Sequence, residues 1–102
     1  MVLSAEEGAR IASTLAHHKA VILRNHGLLT AGPTVDAAVW WFITMERSCQ
    51  VQLAAESVGH PIPISPEVAA STAEIVATAY DGWLNFQPLY DAIVHEQPDL
   101  LN

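Results

Sequence analysis

The sequence is poor in basic residues and in cysteine. The first deficit excludes two classes of partner, and the second excludes a disulfide within the chain. Four Lys and Arg residues stand against eleven Asp and Glu, which gives a formal charge of −7 at pH 7. This charge would repel a nucleic-acid backbone and an anionic membrane surface, so we expect neither as a partner. The single cysteine, Cys49, excludes an intrachain disulfide. It fits a reducing compartment and therefore predicts a cytoplasmic protein.

The chain also lacks any long apolar run. Its longest covers residues 37–43, far below the roughly 20 residues that span a bilayer. No basic segment followed by an apolar one opens the chain, so we expect no secretory signal. With 102 residues the chain forms one domain at most, with a small core. Its hydrophobic content of 51% and mean hydropathy of +0.25 are high for such a core, and predict a surface that another segment or subunit covers.

The segment 19–36 carries the most information. Residues 20–23 are apolar and rich in β-branched side chains, which is typical of a buried strand. The polar stretch Arg24 to Gly27 interrupts this pattern, which resumes at Leu28, and a turn precedes a helix start at Thr34. We expect strands at 20–24 and 28–31 that either pair or form one strand bent at His26–Gly27.

His26 is the candidate metal ligand of this segment. An imidazole on a rigid strand end has its direction fixed before an ion arrives. The adjacent Gly27 lets other groups approach the backbone closely. The alternative is a structural histidine that is hydrogen-bonded in the core or in a turn, which is the more common role of a histidine among apolar residues.

The remainder of the chain predicts an order of helix, two strands and three helices, hence a mostly helical α/β or α+β fold with helices packed on a small sheet. Ser4 and Glu7 form a capping box for a helix at 5–17. Thr34 caps a long helix at 35–57. Apolar residues recur along that helix at steps of three and four, which predicts one buried face: Ala38, Phe42, Met45, Cys49 and Leu53.

Prolines divide the C-terminal part. Residues 59–64 predict an extended linker, because two prolines forbid helix there. Ser65 and Pro66 then open a helix that we expect to reach Tyr80. We predict a loop at 83–87, a short helix from Pro88 to Glu96, and no regular structure from Pro98 onward.

Four stretches of this sequence resemble the class II aldolase/adducin family. Residues 24–30 read Arg-Asn-His-Gly-Leu-Leu-Thr, and in that family an Asn-His-Gly segment supplies the third zinc-binding histidine. Residues 45–53 resemble the long helix that follows it, and residues 86–90 and 97–101 resemble the C-terminal ends of bacterial members. The resemblance runs from about Leu3 to the end of the chain.

The resemblance implies a metal-dependent lyase for aldol cleavage or a related decarboxylation of a small hydroxy or carbonyl substrate. Three histidines would hold zinc or another divalent metal, which would polarise the substrate and stabilise an enediolate. His26 matches the third of these ligands. Family members are commonly tetramers with active sites between subunits, which implies a homo-oligomer here.

The chain departs from the family pattern upstream of His26. Family enzymes carry a His-x-His pair, a catalytic glutamate and a Gly/Ser-rich loop before the Asn-His-Gly segment. Here only His17 and His18 precede it, and they are adjacent. If both lay on the first helix they would point roughly 100° apart and could not converge on one ion. We therefore expect weak metal binding or none, and assign no catalytic residue.

These observations leave two classes of function. In the first, residues 1–102 are the C-terminal half of a lyase domain, inactive without a complementary N-terminal half. In the second, they form a non-enzymatic, adducin-like assembly domain. The roles of Glu46, Arg47 and Tyr90 stay open, and Cys49 fits an inert core thiol.

Overall fold

The structure, a computed structural model, describes residues 4–101 and is mostly helical with one two-stranded sheet. This agrees with the predicted fold class. No helix in this range is both long and apolar enough to cross a membrane. The elements in chain order are α1 (Ala5–Leu15), β1 (Ala20–Leu23), β2 (Gly27–Thr30), α2 (Val35–Val58), α3 (Pro66–Val76), α4 (Ala79–Glu96) and a 3₁₀ helix (Pro98–Leu101).

Helix α1 begins as predicted but ends earlier. The Ser4 hydroxyl accepts a hydrogen bond from the Glu7 backbone N–H at 3.1 Å, which caps the helix. Ala16 adopts a φ of 45°, so the helix stops at Leu15 and not at His17. His17 and His18 therefore lie in the following turn with ring centroids 4.3 Å apart. The helical geometry that we assumed for this pair therefore does not apply to either position.

The two strands form an antiparallel hairpin, which is one of the two predicted arrangements. Val21 is paired with Leu29 and Leu23 with Gly27. Helix α1 packs beside β1, and α2 packs mainly on β2. The hairpin is thus held between two helices, as a two-stranded sheet requires for stability.

Helix α2 is tied to the hairpin near its N-terminus. The Thr34 hydroxyl accepts a hydrogen bond from the Ala37 N–H, so the predicted cap is confirmed. The Thr30 hydroxyl at the end of β2 donates to the Ala38 carbonyl at 2.8 Å. The Lys19 ammonium lies 4.8 Å from the centroid of the Trp41 ring, within the range of a cation–π contact.

The most closely packed point of the fold is the crossing of α2 and α4. Ala37 is fully buried and lies against Gly82, which is also buried. A Cβ atom on Gly82 would stand 2.7 Å from the Ala37 Cα. The absence of a side chain at Gly82 therefore lets the two helix backbones come together.

The predicted buried face of α2 is only partly correct. Three of its five members are half-buried, but Phe42 is 41% exposed and Leu53 is 68% exposed. Residues 50–54 and 56–58 are exposed, because the contacts of α2 with α4 and the hairpin leave its C-terminal end uncovered. The apolar residues recur at steps of three and four as predicted, but no other element of the described chain covers the whole face that they form.

The C-terminal helices differ from the prediction. Helix α3 ends at Val76 and not at Tyr80, because Thr78 caps a new helix by accepting the Asp81 N–H at 3.1 Å. Helix α4 then runs through the predicted loop at 83–87 and through Pro88. Proline removes one helical hydrogen bond, at a cost of about 3 kcal/mol. The α2–α4 packing and the Thr78 cap offset this cost.

Pro98 does not end regular structure, as we had expected. It opens the 3₁₀ helix Pro98–Leu101. Proline is compatible with the first position of a helical turn, because its fixed φ suits that turn and the first N–H has no helical acceptor.

Candidate functional site

The tip of the hairpin presents the Asn-His-Gly segment. The His26 N–H donates to the Leu23 carbonyl at 3.0 Å and closes a tight turn. Asn25 has a φ of 55° and Gly27 a φ of 152°. Asparagine tolerates the left-handed conformation better than other residues with a side chain, and glycine adopts positive φ without strain. The sequence of the segment thus fits the backbone of this turn.

The His26 side chain lies at the exposed tip of the hairpin. The β1–β2 pairing reaches up to Leu23 on one side and Gly27 on the other. The backbone on both sides of the imidazole is therefore fixed by strand hydrogen bonds, and the ring is accessible to an ion or ligand. This combination suits a metal ligand whose direction is set by its scaffold.

A cleft of about 350 Å³ lies beside this tip, between α1 and β1. It contains two of the four Lys and Arg residues of the chain, Arg10 and Arg24. Glu7 also lines it, with its carboxylate 3.6 Å from the Arg10 guanidinium. In a chain with a charge of −7, this is a local concentration of positive charge. Guanidinium groups favour carboxylate and phosphate groups.

Sequence reasoning did not identify Arg10, Arg24 or Glu7 as site residues. A signal was available for two of them, because Glu7, Arg10 and Thr14 recur on one face of α1 at steps of three and four. Only the packing of α1 beside β1 shows that this face meets the hairpin tip. For Arg24 the sequence offered only its place before the Asn-His-Gly segment.

The described residues do not complete a metal site. In the range 4–101, no three His, Cys, Asp or Glu side chains come close enough to hold an ion together. A catalytic zinc ion usually has three protein ligands and one open position. His26 can therefore contribute one ligand, and the other ligands of a catalytic site must come from elsewhere.

The other residues singled out in the sequence do not line the cleft. Glu46 and Arg47 form an exposed pair on α2 at 3.7 Å. Cys49 is a half-buried thiol on the same helix. Tyr90 lies on α4 with its ring 6.4 Å from that of Phe86. His60 is exposed in the linker between α2 and α3.

Two described bacterial proteins are similar in sequence to nearly the whole of this chain. The chain is 45% identical over 100 residues to the 4-hydroxy-3-prenylphenylpyruvate oxygenase/4-hydroxy-3-prenylbenzoate synthase of Streptomyces roseochromogenus subsp. oscitans. It is 45% identical over 100 residues to Decarboxylase NovR of Streptomyces niveus. Each match covers 98% of this chain, but 36% and 37% of the respective relative. The chain thus spans little more than a third of the length of these relatives.

Part of a solved structure has the same fold as this chain. The L-fuculose 1-phosphate aldolase from Glaciozyma antarctica PI12 superimposes with a TM-score of 0.85 at 43% sequence identity. The match covers 94% of this chain and 39% of the aldolase chain. The helices and the hairpin described above therefore correspond to part of the fold of that enzyme.

The family comparison covers the segment that carries the candidate site. The model of the family described as Class II Aldolase and Adducin N-terminal domain matches residues 2–53. This range includes α1, the hairpin with His26, and most of α2. The chain belongs to the class II aldolase and adducin family.

Proposed function

We propose that this chain is part of a metal-dependent carbon–carbon lyase of the class II aldolase type and that it supplies His26 as one metal ligand. The observation that carries the proposal is the exposed imidazole on a hairpin tip fixed on both sides by strand pairing. Residues 1–102 would then form the C-terminal half of the catalytic domain. The remaining ligands would come from a complementary segment or from another subunit.

The relatives support a reaction at a carbon–carbon bond. A decarboxylase and an aldolase both break such a bond, and the chain is similar to one of each at 45% and 43% identity. The adducin-like alternative is not favoured, because the three relatives named above are described as enzymes. Arg10 and Arg24 in the cleft beside His26 favour a substrate that carries a carboxylate or a phosphate.

Zinc titration of the purified chain is the first test of this proposal. A single histidine does not supply the three ligands of a catalytic site, so we expect binding weaker than micromolar and no cleavage of aldol substrates. One-to-one binding tighter than micromolar that is lost in His26→Ala would show that this chain completes the site by itself.

A chimera tests the role of His26 in a complete domain. Residues 4–101 would replace the matching segment of the Glaciozyma antarctica aldolase, whose fold they share at a TM-score of 0.85. We expect the chimera to bind zinc and His26→Ala to weaken that binding by at least tenfold. His60→Ala is the matched control, since His60 is also exposed but lies in the linker. Equal zinc affinity of the chimera and its His26→Ala variant would refute the proposal.

A further inference from the structure

The turn between α1 and β1 holds two neighbouring imidazoles side by side. The ring centroids of His17 and His18 lie 4.3 Å apart, and the two ring planes are inclined by 37°. Both residues are exposed. Neighbouring side chains on a helix point about 100° apart, so this close approach follows from the end of α1 before the pair.

The backbone around this histidine pair is held on both sides. The His18 N–H donates to the Leu15 carbonyl at 2.8 Å, which closes a turn at the end of α1. The Lys19 carbonyl accepts the Ala31 N–H at 3.0 Å, which continues the hydrogen bonding of the hairpin. Ala16, just before the pair, has a φ of 45°, a conformation that is strained for alanine and more frequent near functional sites.

The spacing of the two rings suits joint binding of one metal ion. Zinc binds imidazole nitrogen at about 2.0–2.1 Å, so two imidazoles on one ion at roughly tetrahedral angles have ring centroids about 5 Å apart. The observed separation of 4.3 Å is within about 1 Å of this value. Small rotations about the side-chain bonds of His17 and His18 would therefore let both rings reach the same ion.

The electrostatic surroundings also favour a cation. The chain has a formal charge of −7, which attracts cations to its surface. The basic residue next in sequence, Lys19, is engaged by other groups. Its ammonium donates a hydrogen bond to the Ala77 carbonyl and lies 4.8 Å from the centroid of the Trp41 ring.

We propose that His17 and His18 together form a second metal site, which binds one divalent transition-metal ion of the zinc type. Imidazole suits zinc, copper and nickel, whereas magnesium and calcium prefer oxygen ligands. In residues 4–101 no third His, Cys, Asp or Glu side chain joins the pair. Water would fill the remaining positions, so the ion is exchangeable and is bound less tightly than at a site with three protein ligands.

This site is distinct from the one proposed at His26. The histidine pair lies at the open end of the hairpin and His26 at its tip. The four residues of β1 lie between them and span about 13 Å. One ion therefore cannot reach both places, and neither His17 nor His18 lines the cleft beside His26. The proposal does not depend on the catalytic role of His26.

Zinc titration followed by the NMR signals of the imidazole rings tests the pair in the purified chain. We expect the signals of His17 and His18 to shift together, with a single dissociation constant above micromolar, and magnesium to cause no shift. His17→Ala and His18→Ala should each weaken zinc binding at the pair by at least about tenfold, because a single imidazole loses the advantage of joint binding. His60→Ala is the matched control, since His60 is also exposed; it should leave this affinity unchanged.

The chimera with the Glaciozyma antarctica aldolase tests the pair within a complete domain. We expect its His26→Ala variant still to bind zinc at His17 and His18. Loss of zinc binding in His26→Ala but not in His17→Ala would concern the proposed catalytic site alone, so failures of the two proposals are distinguishable.

Three results would overturn the histidine-pair site. The first is a zinc affinity at the pair that neither His17→Ala nor His18→Ala changes. The second is independent binding of one ion to each ring, so that each variant removes one ion and leaves the other unaffected. The third is a chimera in which the signals of both rings do not respond to zinc. Circular dichroism would verify that each variant keeps its helix content.

Discussion

Replacing Gly82 by alanine tests whether the α2–α4 crossing holds the fold together. The added Cβ would stand 2.7 Å from the Ala37 Cα and 3.0 Å from the Ala37 Cβ. Carbon atoms in favourable contact are about 3.5–4.0 Å apart. The obstacle includes backbone, which cannot rotate out of the way as a side chain can. The two helices would therefore have to move apart by about 1 Å.

The net effect combines two opposing contributions. Overpacking of this kind costs about 1–3 kcal/mol. Alanine in place of glycine within a helix stabilises the folded chain by about 1 kcal/mol, because alanine has the higher helix propensity. Because the clash is with backbone, we expect the upper part of the overpacking range, and thus a net loss of about 1–2 kcal/mol in the free energy of unfolding.

The matched control is Gly8→Ala. Gly8 and Gly82 both occupy the fourth position of their helices, α1 and α4. A Cβ on Gly8 would meet no atom within 4 Å, so this variant keeps only the helix-propensity gain of about 0.5–1 kcal/mol. The two substitutions should therefore shift stability in opposite directions.

Thermal unfolding followed by circular dichroism measures both variants. For a chain of this size, 1 kcal/mol corresponds to about 4–8 °C in Tm. We expect Gly82→Ala to melt roughly 4–15 °C below the wild type and Gly8→Ala a few degrees above it. All samples need the same chain concentration, because assembly makes Tm concentration-dependent. A Gly82→Ala variant as stable as Gly8→Ala would refute the close helix contact.

Three further predictions concern the helices. Pro88→Ala should restore a hydrogen bond within α4 and raise the free energy of unfolding by about 1–3 kcal/mol in chemical denaturation; a decrease would mean that the proline geometry is required there. Hydrogen exchange should be slowest in the first half of α2, around buried Ala37, and fastest in residues 59–64. Equal rates in these two regions would contradict the fold. Hydrogen bonds from its own backbone N–H and from the Ser65 hydroxyl lower the pKa of Glu67. The stabilisation of the first turn of α3 is therefore complete above the ordinary glutamate pKa of about 4.3 and is lost as the pH falls through the lower value in the folded chain. NMR shifts in that turn should follow this titration in the wild type and not in Glu67→Gln.

The local signals of the sequence were sufficient to place the two helix starts in the first half of the chain. Ser4 and Thr34 each cap the helix predicted for them. Caps of this kind act within three residues, so they can be read without knowledge of the fold. The family resemblance likewise depended on a short segment around His26, and the family comparison confirmed it over residues 2–53.

The C-terminal half shows where local signals fail. Pro88 predicted a helix start, because proline favours the first turn of a helix. In the structure it lies inside α4. The crossing at Gly82 and the Thr78 cap fix the helix upstream of the proline, and a contact between residues 45 positions apart cannot be read from the local pattern.

The sequence by itself determined the Ser4 and Thr34 caps, the two strands, the polar tip with His26 and the family, because each depends on residues close together in the chain. Only the tertiary structure decided that α1 brings Arg10 beside Arg24 and His26, that α4 continues through Pro88, and that α3 remains exposed. These features depend on which other element packs against the apolar face of each helix. The periodicity of a helix shows that such a face exists, but packing alone decides what covers it.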